Sequence, residues 1–421
     1  MKKLISVLIK HPILIVCLIV LIVYTPTALL MPADTSQRAV ITRIGIDSAP
    51  EGVEVSTIIF VPTPNTSYTE NYKLFSAKAE NVSLALQKIS AYSGKKIALN
   101  LTEMIVVNEE ISNSDLLEVI DPLSRSTDLG NDTSLICTNQ SAKDFLNATL
   151  NLNSASDLNI ENLVNYSKDK VYNTDSNIES FYQGYFSPQK ISVLGYIELT
   201  NGETGLSTSG GSSASGSSGE STSGSGQGQS SGGGEQQKNT TLLNEGRVAV
   251  YKEGVLDRVL TQEELKGLNW FSPRCNESYL KVENVTDDIF NNATITFKLL
   301  RKKLNINVYF VNGVPVFEGT LKLIMDVDQV SQEDLDSDSL QPELSVVSPE
   351  LRERINITAK QEFKLVQDLM VEEKLDLVNA YTLFSTYCPR QFKSFLNSLD
   401  DSSNFLEYVI FKLKVIPHVS I

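Results

Sequence analysis

Only two histidines occur among the 421 residues, His11 and His418. Histidine is the side chain that most readily serves as a base near neutral pH, and a Ser/His/Asp or Cys/His nucleophile needs one beside it. His11 borders a long apolar run, and His418 is the fourth residue from the C-terminus, so neither supports such an arrangement. His418 reads instead as a partly exposed strand residue. Metal chemistry has one candidate, "DLDSDSLQPELS", in which Asp334, Asp336 and Asp338 take the first three ligand spacings of a calcium loop. The sixth place, where the sharp turn needs glycine, is Ser339, and the twelfth, where a bidentate glutamate belongs, is Ser345. The stretch therefore reads as a solvated acidic loop, with weak divalent binding as the sharper alternative. Glu109-Glu110, Glu263-Glu264 and Glu372-Glu373 are paired carboxylates, but each pair falls where a solvated face is expected and none selects a general acid and base. Cys137, Cys275 and Cys388 are widely spaced, odd in number and free of any CxxC pattern. They form neither a disulfide framework nor a zinc site, and read as isolated semi-buried thiols, with one bridged pair left open. Asn-x-Ser/Thr sequons such as Asn65, Asn81 and Asn100 are expected by chance in a chain rich in Asn and Ser. No catalytic, cofactor-binding or metal-ligating residue is assigned.

The elements around these residues begin with a membrane signal. Lys2, Lys3 and Lys10 precede an uncharged apolar stretch from Pro12 to Met31. That length suits a single bilayer crossing, and the lysines place the N-terminus in the cytoplasm with the remainder outside. Residues 1–31 are therefore expected as a cytoplasmic stub and transmembrane anchor. A cleaved signal peptide is disfavoured by the poor cleavage site at Met31-Pro32-Ala33, and a lipoprotein signal by Val16 before Cys17. The net charge of −15, from 51 acidic and 36 basic side chains, argues against nucleic acid and against tight docking on anionic lipid.

Beyond the anchor the pattern is mixed. "AVITRIGID" and "VEVSTIIFVP" predict strands separated by the turn-like "SAPEG". "SAKAENVSLALQKIS" predicts a helix with Ala79, Val82, Leu86 and Ile89 on one face. "KIALN", "EMIVVNEE", "TSLICTNQ" and "QKISVLGYIEL" predict further strands. "SDLLEVIDPLSR" predicts a capped helix interrupted by Pro122, and "SAKDFLNATL" another helix. Strands alternating with helices imply helices packed on a sheet, an N-terminal α/β domain over 38–199. Residues 200–241 hold 12 of the 23 glycines and almost no apolar side chain, so they are expected as a disordered Ser/Gly-rich linker. Its root-mean-square span is on the order of 35 Å. A phosphate-binding glycine loop is excluded because the flanking strand, lysine and helix are missing.

After the linker, "RVAVYKEGVLDRVL" predicts a hairpin turning at Glu253-Gly254. Thr261 and Glu264 form a capping box that opens a helix ending near Trp270, the only tryptophan. Residues 242–280 are read as a hairpin-helix middle module. In the C-terminal α+β domain, 281–421, Leu304, Ile306, Val308 and Phe310 share one strand face. Ser348, Pro349 and Glu350 start a long helix, with Leu351, Ile355, Ala359, Phe363, Val366 and Met370 on its apolar stripe. A second helix is expected over about 377–397, and "LEYVIFKLKVIPHV" as the last strand. The fold class is thus α+β: a transmembrane helix, then a multi-domain ectodomain of mixed sheets with packed helices, one long helix lying across the C-terminal sheet.

Several of these stretches, in order, resemble the C-subunit family of spore germinant receptors, also called GerAC-like. The resembling stretches are "RAVITRIGID", "SAKAENVSLALQKIS", "GKKIALNLTEMIVVNEEI", "SAKDFL", "GRVAVYKEGVLDRVLTQEELKGLNW" and "YTLFSTYCPRQFKSF". Phe392 stands where that family commonly has tryptophan, and Asn379 near a usual aspartate. The resemblance implies a non-enzymatic three-domain ectodomain on the outer face of the spore inner membrane. Its implied partners are an A-type and a B-type germinant receptor membrane subunit. It implies no cofactor, and no nutrient-binding residue in this chain. The family's usual lipid anchor would here be replaced by Pro12–Met31. Competing readings from other classes are an anchored cell-envelope hydrolase and an extracytoplasmic sensor or adhesion module.

Overall fold

The computed structural model describes residues 38–61, 71–155, 176–200, 241–271, 278–287, 290–331 and 348–420. The expected anchor, residues 201–240, Cys275 and the acidic loop at 334–345 lie outside the described residues. Among the described residues no helix is long and apolar enough to cross a membrane.

Two sheets organise the chain. The larger has nine strands: β1 (Arg38–Ala49), β2 (Gly52–Phe60), β3 (Tyr72–Ala79), β4 (Lys96–Ala98), β5 (Met104–Asn108), β6 (Ser134–Thr138), β7 (Ile191–Thr200), β8 (Thr241–Lys252) and β9 (Val255–Leu260). Their order is β3-β2-β1-β5-β6-β7-β8-β9, with β4 also pairing β1. The central pairs β1–β5, β5–β6 and β6–β7 are parallel, while both flanks are antiparallel. Period-two alternation splits the sheet's apolar side chains between its two faces. Ile105, Val107, Leu135 and Leu194 pack with α1 (Val82–Ser93), α2 (Leu116–Ser124) and α4 (Ile178–Tyr185). Met104, Val106, Ile136 and Ile197 pack with α3 (Ala142–Ala155) on the opposite face. Buried on both faces, β5 and β6 carry no exposed position at all.

The second sheet runs β10 (Ser278–Val285), β11 (Ala293–Val311), β12 (Val314–Ser331), β13 (Ile410–Ser420). Its inner face carries Phe297, Leu299, Phe317, Leu321, Leu323 and Met325. Against it lies α6 (Pro349–Glu372), whose buried stripe is Leu351, Ile355, Ala359, Phe363, Val366, Leu369 and Met370. This is the stripe expected from the sequence, with Leu369 added. The Ser348 side chain accepts from the backbone N–H of Leu351 at 3.1 Å and Pro349 fills the first turn, as the cap pattern requires.

Three local expectations are corrected. Ser76–Ala79 ends strand β3 instead of starting a helix; α1 begins at Val82, where the Asn81 side chain accepts from the Leu84 N–H at 2.9 Å. Pro122 does not interrupt α2, which continues to Ser124. The single helix expected over 377–397 is two, α7 (Ala380–Tyr387) and α8 (Pro389–Leu396), because Pro389 lacks the N–H that would continue the first.

Residues 242–280 are divided between the two cores. β8 pairs β7 from Ile191↔Lys252 to Thr200↔Thr241, so the hairpin extends the large sheet. The turn at Glu253-Gly254 has positive φ at both residues, 53° and 83°, as a type I′ hairpin needs. A Cβ on Gly254 would sit 2.1 Å from the Asp115 carboxylate, and the Leu116 N–H donates to the Gly254 carbonyl at 2.9 Å, so this turn docks on the start of α2. α5 (Gln262–Asn269) instead packs into the second core. Its capping box forms as read, with the Glu264 carboxylate accepting from the Thr261 N–H at 2.7 Å. It lies against α6 at Gly267, where a Cβ would be 2.3 Å from the Glu362 carbonyl. Trp270 is buried at its end, and its indole N–H donates to Glu362 at 2.7 Å.

Candidate functional site

The Gly-Ile-Asp stretch ending β1 has a structural meaning. A Cβ on Gly45 would lie 3.1 Å from Ala142, so the missing side chain lets α3 start hard against the strand. Ile46 fills the core, and Asp47 caps α3 by accepting from the N–H groups of Ala142 (2.6 Å) and Lys143 (2.9 Å) and from the Ser141 hydroxyl (3.1 Å). The Lys143 ammonium reaches back to Glu54 on β2 at 2.8 Å. Burial raises the Asp47 pKa even against these three donors.

The carboxyl ends of parallel strands are where open α/β sheets usually place ligands. Here a polar network occupies that position. Tyr251 donates to Ser112 at 2.9 Å, and Ser112 donates to the Asn108 carbonyl at 2.9 Å. The Cys137 sulfur lies 4.0 Å from the same hydroxyl. Burial pushes the Cys137 thiol up to about 12 and the Tyr251 phenol well above its ordinary value, so both are neutral near pH 7. Beside them Tyr196 donates to Glu109, Arg247 pairs with Glu198, and the Arg247 guanidinium lies 5.1 Å from the Tyr196 ring centroid. Burial and the Glu109 carboxylate raise the Tyr196 phenol too. Thiol and phenols alike are held protonated and hydrogen-bonded, an arrangement that joins strands β5 to β8 and activates no nucleophile.

A second feature is the seam between the cores, a cleft of about 520 Å³. One wall comes from α4 and β7 through Ser180, Gln183 and Ser192, the other from Leu268, Phe271, Asn379 and Thr382. Among the described residues no charged side chain lines it. Next to the lining residue Leu377, Asp376 is buried and accepts from the N–H groups of Ala380 and Tyr381, each at 2.7 Å, fixing the start of α7. Desolvation raises its pKa to about 6. Asn379 adopts the left-handed conformation at φ 55° beside it.

Of the residues weighed from sequence, Glu109 joins the strand-end network, Glu264 completes the capping box of α5, and Glu263 lies in the first turn of that helix. Cys137 and Cys388 are free thiols, the latter donating to the Val308 carbonyl at 3.4 Å. His418 is an exposed strand residue. Among the described residues no cluster of His, Cys, Asp and Glu has metal-binding geometry. The Ser/Asp cap read at the start of α2 is Asp115, whose side chain accepts from the Leu117 N–H at 2.9 Å, whereas sequence reasoning missed Asp47 and Asp376 as caps.

Fold and site together define an α+β protein of two sheets whose polar clusters are built into the cores and the seam between them. Residues 33–199 match the family of spore germination protein N-terminal domains, and residues 246–397 match the spore germination B3/GerAC-like C-terminal family. The chain belongs to the GerAC-like family of germinant receptor C-subunits, and with it to the proteins of spore germination. A crystal structure of the GerBC protein is similar, at 14% identity and a TM-score of 0.49, over 90% of this chain and 97% of that one. No curated protein sequence matches the chain.

Proposed function

We propose that this protein is the non-enzymatic C-type subunit of a nutrient germinant receptor, held on the outer face of the spore inner membrane by Pro12–Met31. It works there with an A-type and a B-type membrane subunit. The observation that carries this reading is the pair of germination-family matches in the expected order on one chain. In this reading 38–199 and 281–421 are separate domains, and 242–280 is the piece through which they are joined.

The test is crosslinking in dormant spore membranes, affinity purification of this chain and mass spectrometry. Co-recovery of A- and B-type membrane subunits, and loss of nutrient-triggered germination on deletion, are the expected results. Recovery of neither, with the protein present in envelopes of growing cells, would overturn the assignment. It would return the hydrolase and adhesion readings to first place.

A further inference from the structure

The outer face of the four-stranded sheet is cationic in an acidic protein. Lys298, Arg301 and Lys303 on β11, Lys322 on β12, and Lys412 and Lys414 on β13 are all exposed. Register places them on one face: Lys303 sits directly opposite Lys322, Arg301 opposite Ile324, and Thr320 next to Lys414. Like charges directly across a strand pair destabilise a sheet. Among the described residues none of these six cations has an ion pair within 4.0 Å, although the chain has 51 acidic side chains to draw on. The acids on this face are Glu283 on β10, ion-paired with Lys281 at 2.6 Å, Asp326 opposite Lys298, and Glu318 beside Lys412, which accepts from the Tyr309 hydroxyl at 3.1 Å; none stands across from Arg301, Lys303, Lys322 or Lys414. All helices that pack on this sheet contribute to the core on its inner side.

Exposed apolar side chains are set among the cations. Tyr279 is 53% exposed, Leu300 45% and Ile324 37%. Tyr279 pairs with Lys298, and Ile324 lies between Arg301 and His418. Five of the six cations are lysines, compact charges without the fork that arginine uses for bidentate recognition of carboxylates. Lysine with interspersed tyrosine and aliphatic side chains suits a diffuse anionic headgroup layer better than a structured acidic peptide.

We propose that this sheet face docks on an anionic lipid bilayer surface. The proposal rests on the membrane placement above and adds an orientation to it: the second sheet lies flat against the headgroups, with α6 turned away. It also revises, for this one face, the expectation from net charge that anionic lipid is avoided.

The experiment reconstitutes the full chain with vesicles of phosphatidylcholine alone or with added phosphatidylglycerol. Flotation is measured first, then amine acylation is read lysine by lysine by mass spectrometry. Lys360 on α6 is the control, exposed on the far side of the sheet's core. The expected result is flotation with both vesicle types and a several-fold fall in acylation of Lys303, Lys322, Lys412 and Lys414 in anionic vesicles only. High salt should reverse that fall, and Lys360 should not change. Lys303→Gln with Lys322→Gln should weaken the protection of Lys412 and Lys414. Flotation with equal labelling in both vesicle types overturns the docking and leaves the anchor standing. Flotation with anionic vesicles alone supports the docking and overturns the anchor, and flotation with neither overturns both. Protection already present without lipid overturns the docking, because the face is then covered by protein.

Discussion

The two sheets bury themselves differently. The larger is covered on both faces, by α1, α2 and α4 on one side and α3 on the other, and its central strands are buried at every position. The smaller is covered on one face only, and β11 alternates buried and exposed residues over most of its length. Two-sided burial leaves no sheet surface to recognise anything, so polar groups in the large sheet serve as caps and strand ties. One-sided burial leaves a second face whose composition is free of the core's demands. In this molecule that face is basic.

Substitutions should separate the closed regions from the open one. The largest effect is expected at Phe363, whose ring lies 4.5 Å from that of Phe271 and 6.0 Å from that of Phe411 in the second core. Phe363→Ala should cost about 4 kcal/mol in urea unfolding. A cost below about 1 kcal/mol would mean the α6 face is not closed.

Next is pH. Asp376 has a pKa of about 6 in the fold against 3.8 for an ordinary aspartate, so between these values the folded state binds more protons than the unfolded one. Its contribution therefore falls as pH rises from about 4 to 6 and is constant above, a change of at most about 3 kcal/mol. Unfolding of Asp376→Asn and the native chain should be compared at steps from pH 4 to 7. The variant should gain relative stability through that window; parallel profiles would show that burial is not what sets the Asp376 pKa.

Asp47→Ala removes three hydrogen bonds at the start of α3 and should cost about 2 kcal/mol. Deleting Thr208–Gly234 should raise stability by about 1 kcal/mol or less, the gain from a shorter loop. A loss of many degrees in Tm would show that the segment is docked. Smallest of all, Lys322→Ala on the open face should change stability by no more than about 0.5 kcal/mol. A cost like that of Phe363→Ala would erase the distinction between the two sheets.

Much of this was legible in sequence because the signals are local. The Thr261/Glu264 capping box, the Ser348-Pro349 start and the stripe from Leu351 to Met370 each lie within one helix. What was hidden depends on distant partners. β3 carries Lys73 and Lys78 and pairs at the sheet's edge, so its pattern is weak without β2 beside it. The Asp47 cap joins residues 95 positions apart. Asp376 gave no sign of burial, because its donors become buried only once α7 packs. The basic face is invisible until β11, β12 and β13 are placed in register, since Lys303 and Lys414 lie on strands separated by most of the C-terminal region.

The pairing of Thr200 with Thr241 has a practical consequence. The stretch between them reads as a linker from sequence, and its two ends leave from directly paired residues on neighbouring strands of a single sheet. Its length therefore sets the separation of nothing. An affinity tag or a fluorescent reporter could be spliced into it with both termini left native. That offers a handle for recovering the protein from spores while its N-terminal apolar run stays untouched.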